Sequence, residues 1–133
     1  RDFNDGADFH PLIPADTLTG PGTVQRNVGH LGLEAIDVTA SGPITLSLTG
    51  DPEVAARAVG IRDRQASVFD LTSSSIVLNA DDFDSVVVLV VYASDEAGSN
   101  ACTHVDYRLR LEPGGQPGQP TDIIDAPKFT SLH

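Results

Sequence analysis

The residues best suited to chemistry stand at the front of the chain. RDFNDGADFHPLIP sets Asp2, Asn4, Asp5 and Asp8 around Gly6. Calcium takes six to eight oxygen ligands, and these side chains could supply several of them while a glycine permits the sharp turn that aims them inward. The spacing is not that of an EF-hand, which wants glycine at the sixth place and a closing bidentate glutamate; here Gly6 stands fifth from Asp2 and no glutamate follows. A solvated opening loop whose Asx side chains cap turns accounts for the same residues more simply, and calcium is the metal that composition allows. A second acidic group, NADDFDS, holds Asn79, Asp81, Asp82 and Asp84. Asn and Asp favour turns because they hydrogen-bond the local backbone, so a plain turn is the expectation there as well.

Other chemistries find little footing. His10, His30, His104 and His133 are scattered, without the HExxH or CxxC spacings that fix zinc. No G-x-S-x-G elbow exposes a serine, and no Walker or G-x-G-x-x-G loop cradles a phosphate. Cys102 is the single cysteine, so no internal disulfide can form. With no basic cluster beside it to lower its pKa, it is expected to be an ordinary strand thiol. No catalytic residue is assigned.

The totals narrow the function classes further. At 133 residues the chain fits one domain, able to bury roughly two-thirds of its unfolded surface. Eight Lys and Arg against nineteen Asp and Glu give a net charge of −11. Binding phosphates requires cations that displace counterions, so nucleic acid and anionic membranes are not expected partners. The apolar run Val86 to Val91 is too short for a membrane helix, and no basic segment precedes an apolar one at the start. A chain opening on Arg1 is expected to be processed or cut from something larger. With two Tyr, five Phe and no Trp, it offers few flat platforms for sugars.

Period-two alternation dominates the pattern, as in a half-buried sheet where successive side chains face opposite ways. In SGPITLSLTGDP, Ile44, Leu46 and Leu48 alternate with polar residues between Gly-Pro and Gly-Asp-Pro turn signals. In THVDYRLRLEPGG, Val105, Tyr107, Leu109 and Leu111 share one face. DSVVVLVVYAS is apolar on both faces, which predicts a central strand covered on both sides. Further strands are expected at Thr23 to Val28, Leu31 to Thr39, Ala55 to Ile61, Ser67 to Leu71 and Ser75 to Leu78. DPEVAARAVGIRD also tolerates a helix, but Val54, Ala56 and Ala58 keep the strand period. SDEAGSN is expected to close a long hairpin between the last two core strands. About eight short strands predict an all-β antiparallel sandwich, jelly-roll or Ig-like, over residues 1 to 112.

PGGQPGQP, residues 113 to 120, can neither pair as a strand nor form a helix and is expected to be a linker. It leads to a C-terminal extended arm, 121 to 133, whose apolar anchors Ile123, Ile124, Phe129 and Leu132 are the candidate partner-binding residues. Such an arm can dock on its own domain or add as a strand to a neighbour's sheet edge.

NDGADFHPLIP, GTVQRNVGHLGLEAIDVTA with its hairpin-like look, ITLSLTGDP, VVVLVVYAS and YRLRLEPG follow one another in an order that resembles the accessory β-sandwich domains of secreted bacterial peptidases, the bacterial pre-peptidase C-terminal domain in particular. The resemblance spans Asn4 to Pro113. It implies an extracellular, noncatalytic module, often calcium-assisted, that aids substrate binding, secretion or stability of a neighbouring enzyme, so a protein, the parent enzyme or a neighbouring protomer, is the expected partner. The alternative expectation is a structural subunit of an extracellular filament or assembly, joined by strand addition through the arm.

Overall fold

Alternation builds the elements. The structure, a computed structural model, describes residues 16–29, 33–71, 74–92 and 104–125. Among these it contains ten strands: β1 (Asp16–Thr19), β2 (Gly22–Gly29), β3 (Leu33–Thr39), β4 (Pro43–Gly50), β5 (Val54–Arg62), β6 (Gln65–Asp70), β7 (Ser75–Asn79), β8 (Ser85–Tyr92), β9 (His104–Pro113) and β10 (Asp122–Asp125). On β4, Ile44, Leu46 and Leu48 are buried while the residues between them are not. Small side chains decide β5: Val54, Ala56 and Ala58 are buried at period two, so tertiary packing overrides the helix preference of alanine. No helix of the described residues is long and apolar enough to cross a membrane.

Two sheets result. One has the order β1-β3-β8-β5-β6-β10 and the other β2-β9-β4-β7. Their inner faces share one core, with Ile36, Val88 and Val90 from the first meeting Leu46, Tyr107, Leu109 and Leu111 from the second. This is the expected β-sandwich, antiparallel except where β1 runs parallel to β3. Register puts Leu46 beside Leu111 and Leu48 beside Leu109, so the buried leucines of β4 and β9 stack row by row.

Several connections differ from expectation. Two short strands, β1 and β10, join the expected eight. β2 and β3 lie in different sheets and form no hairpin. Nor do β8 and β9: β8 has β3 and β5 on its edges, while β9 has β2 and β4, so residues 93–103 join one sheet to the other rather than closing a hairpin. Period two reports which face is buried and is silent about which strand lies alongside. The hairpin of β5 and β6 turns through Asp63 and Arg64, both at positive φ (53° and 69°). Two such residues in a two-residue turn mark the type I′ hairpin, normally written with Asn-Gly, which is why this turn sent no signal in the sequence.

The segment after β9 has no regular structure, yet it is held. The Gly114 N–H donates to the Pro43 carbonyl (2.8 Å) and the Gly118 N–H to the Val77 carbonyl (3.0 Å). Gly115 lies so close to β4 and β7 that a Cβ there would stand 2.8 Å from Thr45 Oγ1 and from Val77 Cγ1. Its glycines serve close approach as well as turning. The segment then crosses to the other sheet, where the Thr121 N–H donates to the Val68 carbonyl (2.7 Å). There Asp122–Asp125 pairs antiparallel with β6 as that sheet's edge strand, so this part of the arm docks on its own domain.

Candidate functional site

The side of the six-stranded sheet that faces away from the core should, by simple alternation, be polar, and it is not. Val87, Leu89 and Val91 are the off-phase residues of β8, half-buried while Val86, Val88 and Val90 are buried. Register extends this row sideways. Val91 stands between Leu33 and Ala55, and Leu89 between Ala35 and Arg57. Arg57 faces Asp70, and Val59 faces Val68. Leu33, Ala55, Arg57, Val59, Val68, Asp70, Leu89 and Val91 line an open groove of about 660 Å³. Its walls are aliphatic, with Arg57, Asp70, Thr121 and Asp122 as the polar contributors. Leu33, at one end, is 38% exposed, unusual for a large apolar residue on a strand. The expectation of a strand sheltered on both sides is met in part: Val87 and Leu89 pack against a second small cluster on this face, the buried Val59, Ala66 and Val68, while Val91 ends beside the exposed Leu33.

The groove can do limited chemistry. Aliphatic walls take apolar side chains by removing surface from water, at roughly 25 cal/mol per Å². The polar groups fix orientation. Arg57 is exposed and Asp70 lies directly across the ladder from it. The Asp70 N–H donates to Thr121 Oγ1 (3.2 Å), which pins the chain at the groove's rim.

A second feature lies inside the sandwich. Arg26 falls between the buried Val24 and Val28 on β2, and Glu34 falls in phase with Ile36 and Val38 on β3, so both point between the sheets. Glu34 Oε1 accepts the Tyr107 hydroxyl (2.6 Å) and the Arg26 Nε–H (3.0 Å). Asp16 is a more distant partner of Arg26 (3.9 Å). Because Arg26 and Tyr107 belong to one sheet and Glu34 to the other, the cluster ties the two layers together. The bond to Glu34 raises the Arg26 pKa, against the opposing effect of burial. Burial foremost, then the bond and charge of Glu34, pushes the Tyr107 phenol well above its ordinary value. Tyr92 is raised too, by burial and then by Glu53 and Asp51.

A measurable consequence follows, because Tyr92 and Tyr107 are the only tyrosines. A phenol whose folded pKa exceeds the unfolded value of 10.0 binds its proton more tightly when folded. It contributes stability below that value, and the contribution is lost as pH rises through the folded pKa. Phenolate absorbance should therefore stay low past pH 10 and climb together with loss of the circular-dichroism signal of the sheets. Titration of either tyrosine at its ordinary pH in folded protein would contradict the geometry.

The residues singled out from sequence fall as follows. Asp2, Asn4, Asp5 and Asp8 lie outside the described residues, as do Phe129, Leu132, Cys102, His10, His30 and His133. Ile123 stands opposite Ser67 on β10 and is 54% exposed, and Ile124 stands opposite Ala66. Asn79 caps a 3-10 turn at Ala80–Asp82 by accepting the Asp81 N–H (3.1 Å), and Asp84 approaches Arg62 (3.8 Å). NADDFDS is thus a turn. No group of three or more His, Cys, Asp or Glu among the described residues is arranged to hold a metal ion. Sequence reasoning missed the groove and the cluster, although each left a sign: off-phase aliphatics in β5 and β8, and charges at inward positions in β2 and β3.

No protein-family model matches the sequence, and no curated protein matches it. Among solved structures the chain is similar to PliG of Salmonella Typhimurium, a periplasmic lysozyme inhibitor of g-type lysozyme, at 12% identity and a TM-score of 0.51 over 74% of this chain and 99% of that one. PliG of Aeromonas hydrophila gives 16% identity and 0.44, over 74% and 98%. The pre-peptidase C-terminal domain of a Bacillus anthracis collagenase gives 8% and 0.40, over 75% and 97%. The last two likenesses are too loose to argue from. What the Salmonella protein and this chain share is the fold of a β-sandwich.

Proposed function

We propose that this chain is a noncatalytic protein-binding module that works outside the cytoplasm, as an accessory to a secreted or periplasmic system, and that it docks through the aliphatic groove on its six-stranded sheet. One observation carries the reading: an open apolar groove, its walls half-buried to buried and its end exposed at Leu33, occupies a face where a solvated sheet would place polar side chains. Its lining is valine, leucine and alanine with a few polar groups, the composition of a contact surface rather than a proton-transfer site. The partner fitted to it is a cationic protein presenting apolar side chains. A domain of net charge −11, with Asp70 and Asp122 at the groove, attracts such a surface during encounter. The Salmonella protein that shares the fold is a periplasmic inhibitor, which agrees with the reading.

The test uses Leu89→Asp, which places a charge in the groove while leaving the core face of β8 untouched. A g-type lysozyme, the target named for the Salmonella structure, is the first partner to titrate by calorimetry. Binding to the wild-type domain should weaken at least tenfold in the variant, about the value of one buried leucine. Equal affinity in both proteins would show that the groove is not the contact. A wild-type domain that ignores the lysozyme takes that enzyme away as partner.

A further inference from the structure

On the face of the six-stranded sheet that looks away from the core, Val59, Ala66 and Val68 are only 2%, 0% and 8% exposed. Register sets Val59 between Val87 and Val68, side chains no taller than its own, so its neighbours in the sheet wall it in without roofing it. The ten described strands all belong to the two sheets, and among the described residues no third layer crosses this face. The opposite face of β10 gives the contrast: Ile123, opposite Ser67, is 54% exposed. β10 meets Gln65 at Asp125, and Gln65 is the first residue of β6, so the strand runs out of partner there. Pro127 follows, with no N–H to extend a ladder. β10 therefore ends beside Ala66, whose register partner is Ile124.

We propose that residues 126–133, APKFTSLH, turn back over this face and cover Val59, Ala66 and Val68 with Phe129 and Leu132, closing the β6 end of the groove and leaving it open from Leu89 to Leu33. Reach is ample: eight residues extend roughly 26 Å, and β5 lies two strand spacings, about 10 Å, from β10. The stretch carries Lys128 and no carboxylate side chain, against Asp70 and Asp122 at the groove and Asp125 on β10. Other stretches fit less well. Residues 93–103 offer no apolar side chain larger than cysteine. Residues 1–15 would bring Asp2, Asp5 and Asp8 towards the same carboxylates, and they precede β1, on the far edge of the sheet. The inference goes beyond the partner reading: it stands on burial and register and needs no partner.

NMR of the full chain tests the contact directly. NOEs should run from the Phe129 ring to the methyls of Val59 and Val68, and in an equal mixture of isotope-labelled and unlabelled protein none should cross between chains. With a neutral paramagnetic co-solute, the Val59 and Val68 methyls should stay as narrow as those of Val88 and Val90. Phe129→Ser with Leu132→Ser should remove that protection and broaden them as strongly as those of Leu89, while unchanged Val88 and Val90 signals show that the fold survives. Phe129→Leu keeps an apolar anchor and should keep the protection. Should the serine variant unfold, the wild-type NOEs alone decide. NOEs from Phe3 or Phe9 in place of Phe129, NOEs between chains, or protection equal in the serine variant and the wild type would overturn the proposal. None of these outcomes bears on lysozyme binding by Leu89→Asp, so the two readings fail separately.

Discussion

Alanine in place of Glu34 should lower the free energy of unfolding by about 2–3 kcal/mol, read from the denaturant midpoint. The carboxylate accepts two bonds at once, from the fully buried Tyr107 hydroxyl and from the Arg26 guanidinium. Truncation leaves the phenol without an acceptor in the core, and it leaves a cation only one-third exposed without its near counter-charge. Unmet buried polar groups cost more than the bonds contribute net. Hence the double replacement Arg26→Leu with Glu34→Leu should cost less than Glu34→Ala alone, because it removes both charges and adds apolar contact. Should Glu34→Ala change stability by less than about 0.5 kcal/mol, the cluster does not tie the sheets together.

Gly50→Ala should cost about 3 kcal/mol, lowering the melting temperature by roughly 10 °C. Gly50 ends β4 opposite Tyr107 with φ at 139°. A Cβ there would meet the Asp106 carbonyl oxygen at 2.5 Å and Tyr107 Cα at 2.8 Å. Both are backbone atoms of β9, which cannot withdraw because β2 holds its far edge and Glu34 holds the Tyr107 ring. Gly20→Ala is the control: it shares a positive φ (68°) but has nothing within 4 Å, so only the backbone preference of about 1 kcal/mol is at stake. Equal losses at the two positions would mean that contact with β9 is not the cause.

Much of the fold was legible because burial writes itself at period two. Ile44, Leu46 and Leu48, and Tyr107, Leu109 and Leu111, announced β4 and β9, and the valines of β8 announced an interior strand. Partner choice was not legible. Nothing local in SDEAGSN distinguishes a hairpin from a crossing between sheets, and the pairing of β1 with β3 depends on contacts far apart in the chain. The groove was half legible. Valine on both faces of β8 requires shelter, but whether that shelter is another layer, neighbouring side chains or a partner is decided by what surrounds the strand. Glu34 and Arg26 belong to different sheets, and only the packing of the two layers brings them together.

The account rests on the outer face of β8 being half-open to solvent at the groove while its inner face is sealed, and methyl relaxation in the presence of a neutral paramagnetic co-solute reads that difference residue by residue. The methyls of Leu89 and Val91, with those of Leu33 beside them, should broaden strongly, while those of Val88 and Val90 should not. Leu89 and Val91 shielded as fully as Val88 and Val90 would contradict the account: the groove would be filled, and the domain would have to meet its partners elsewhere.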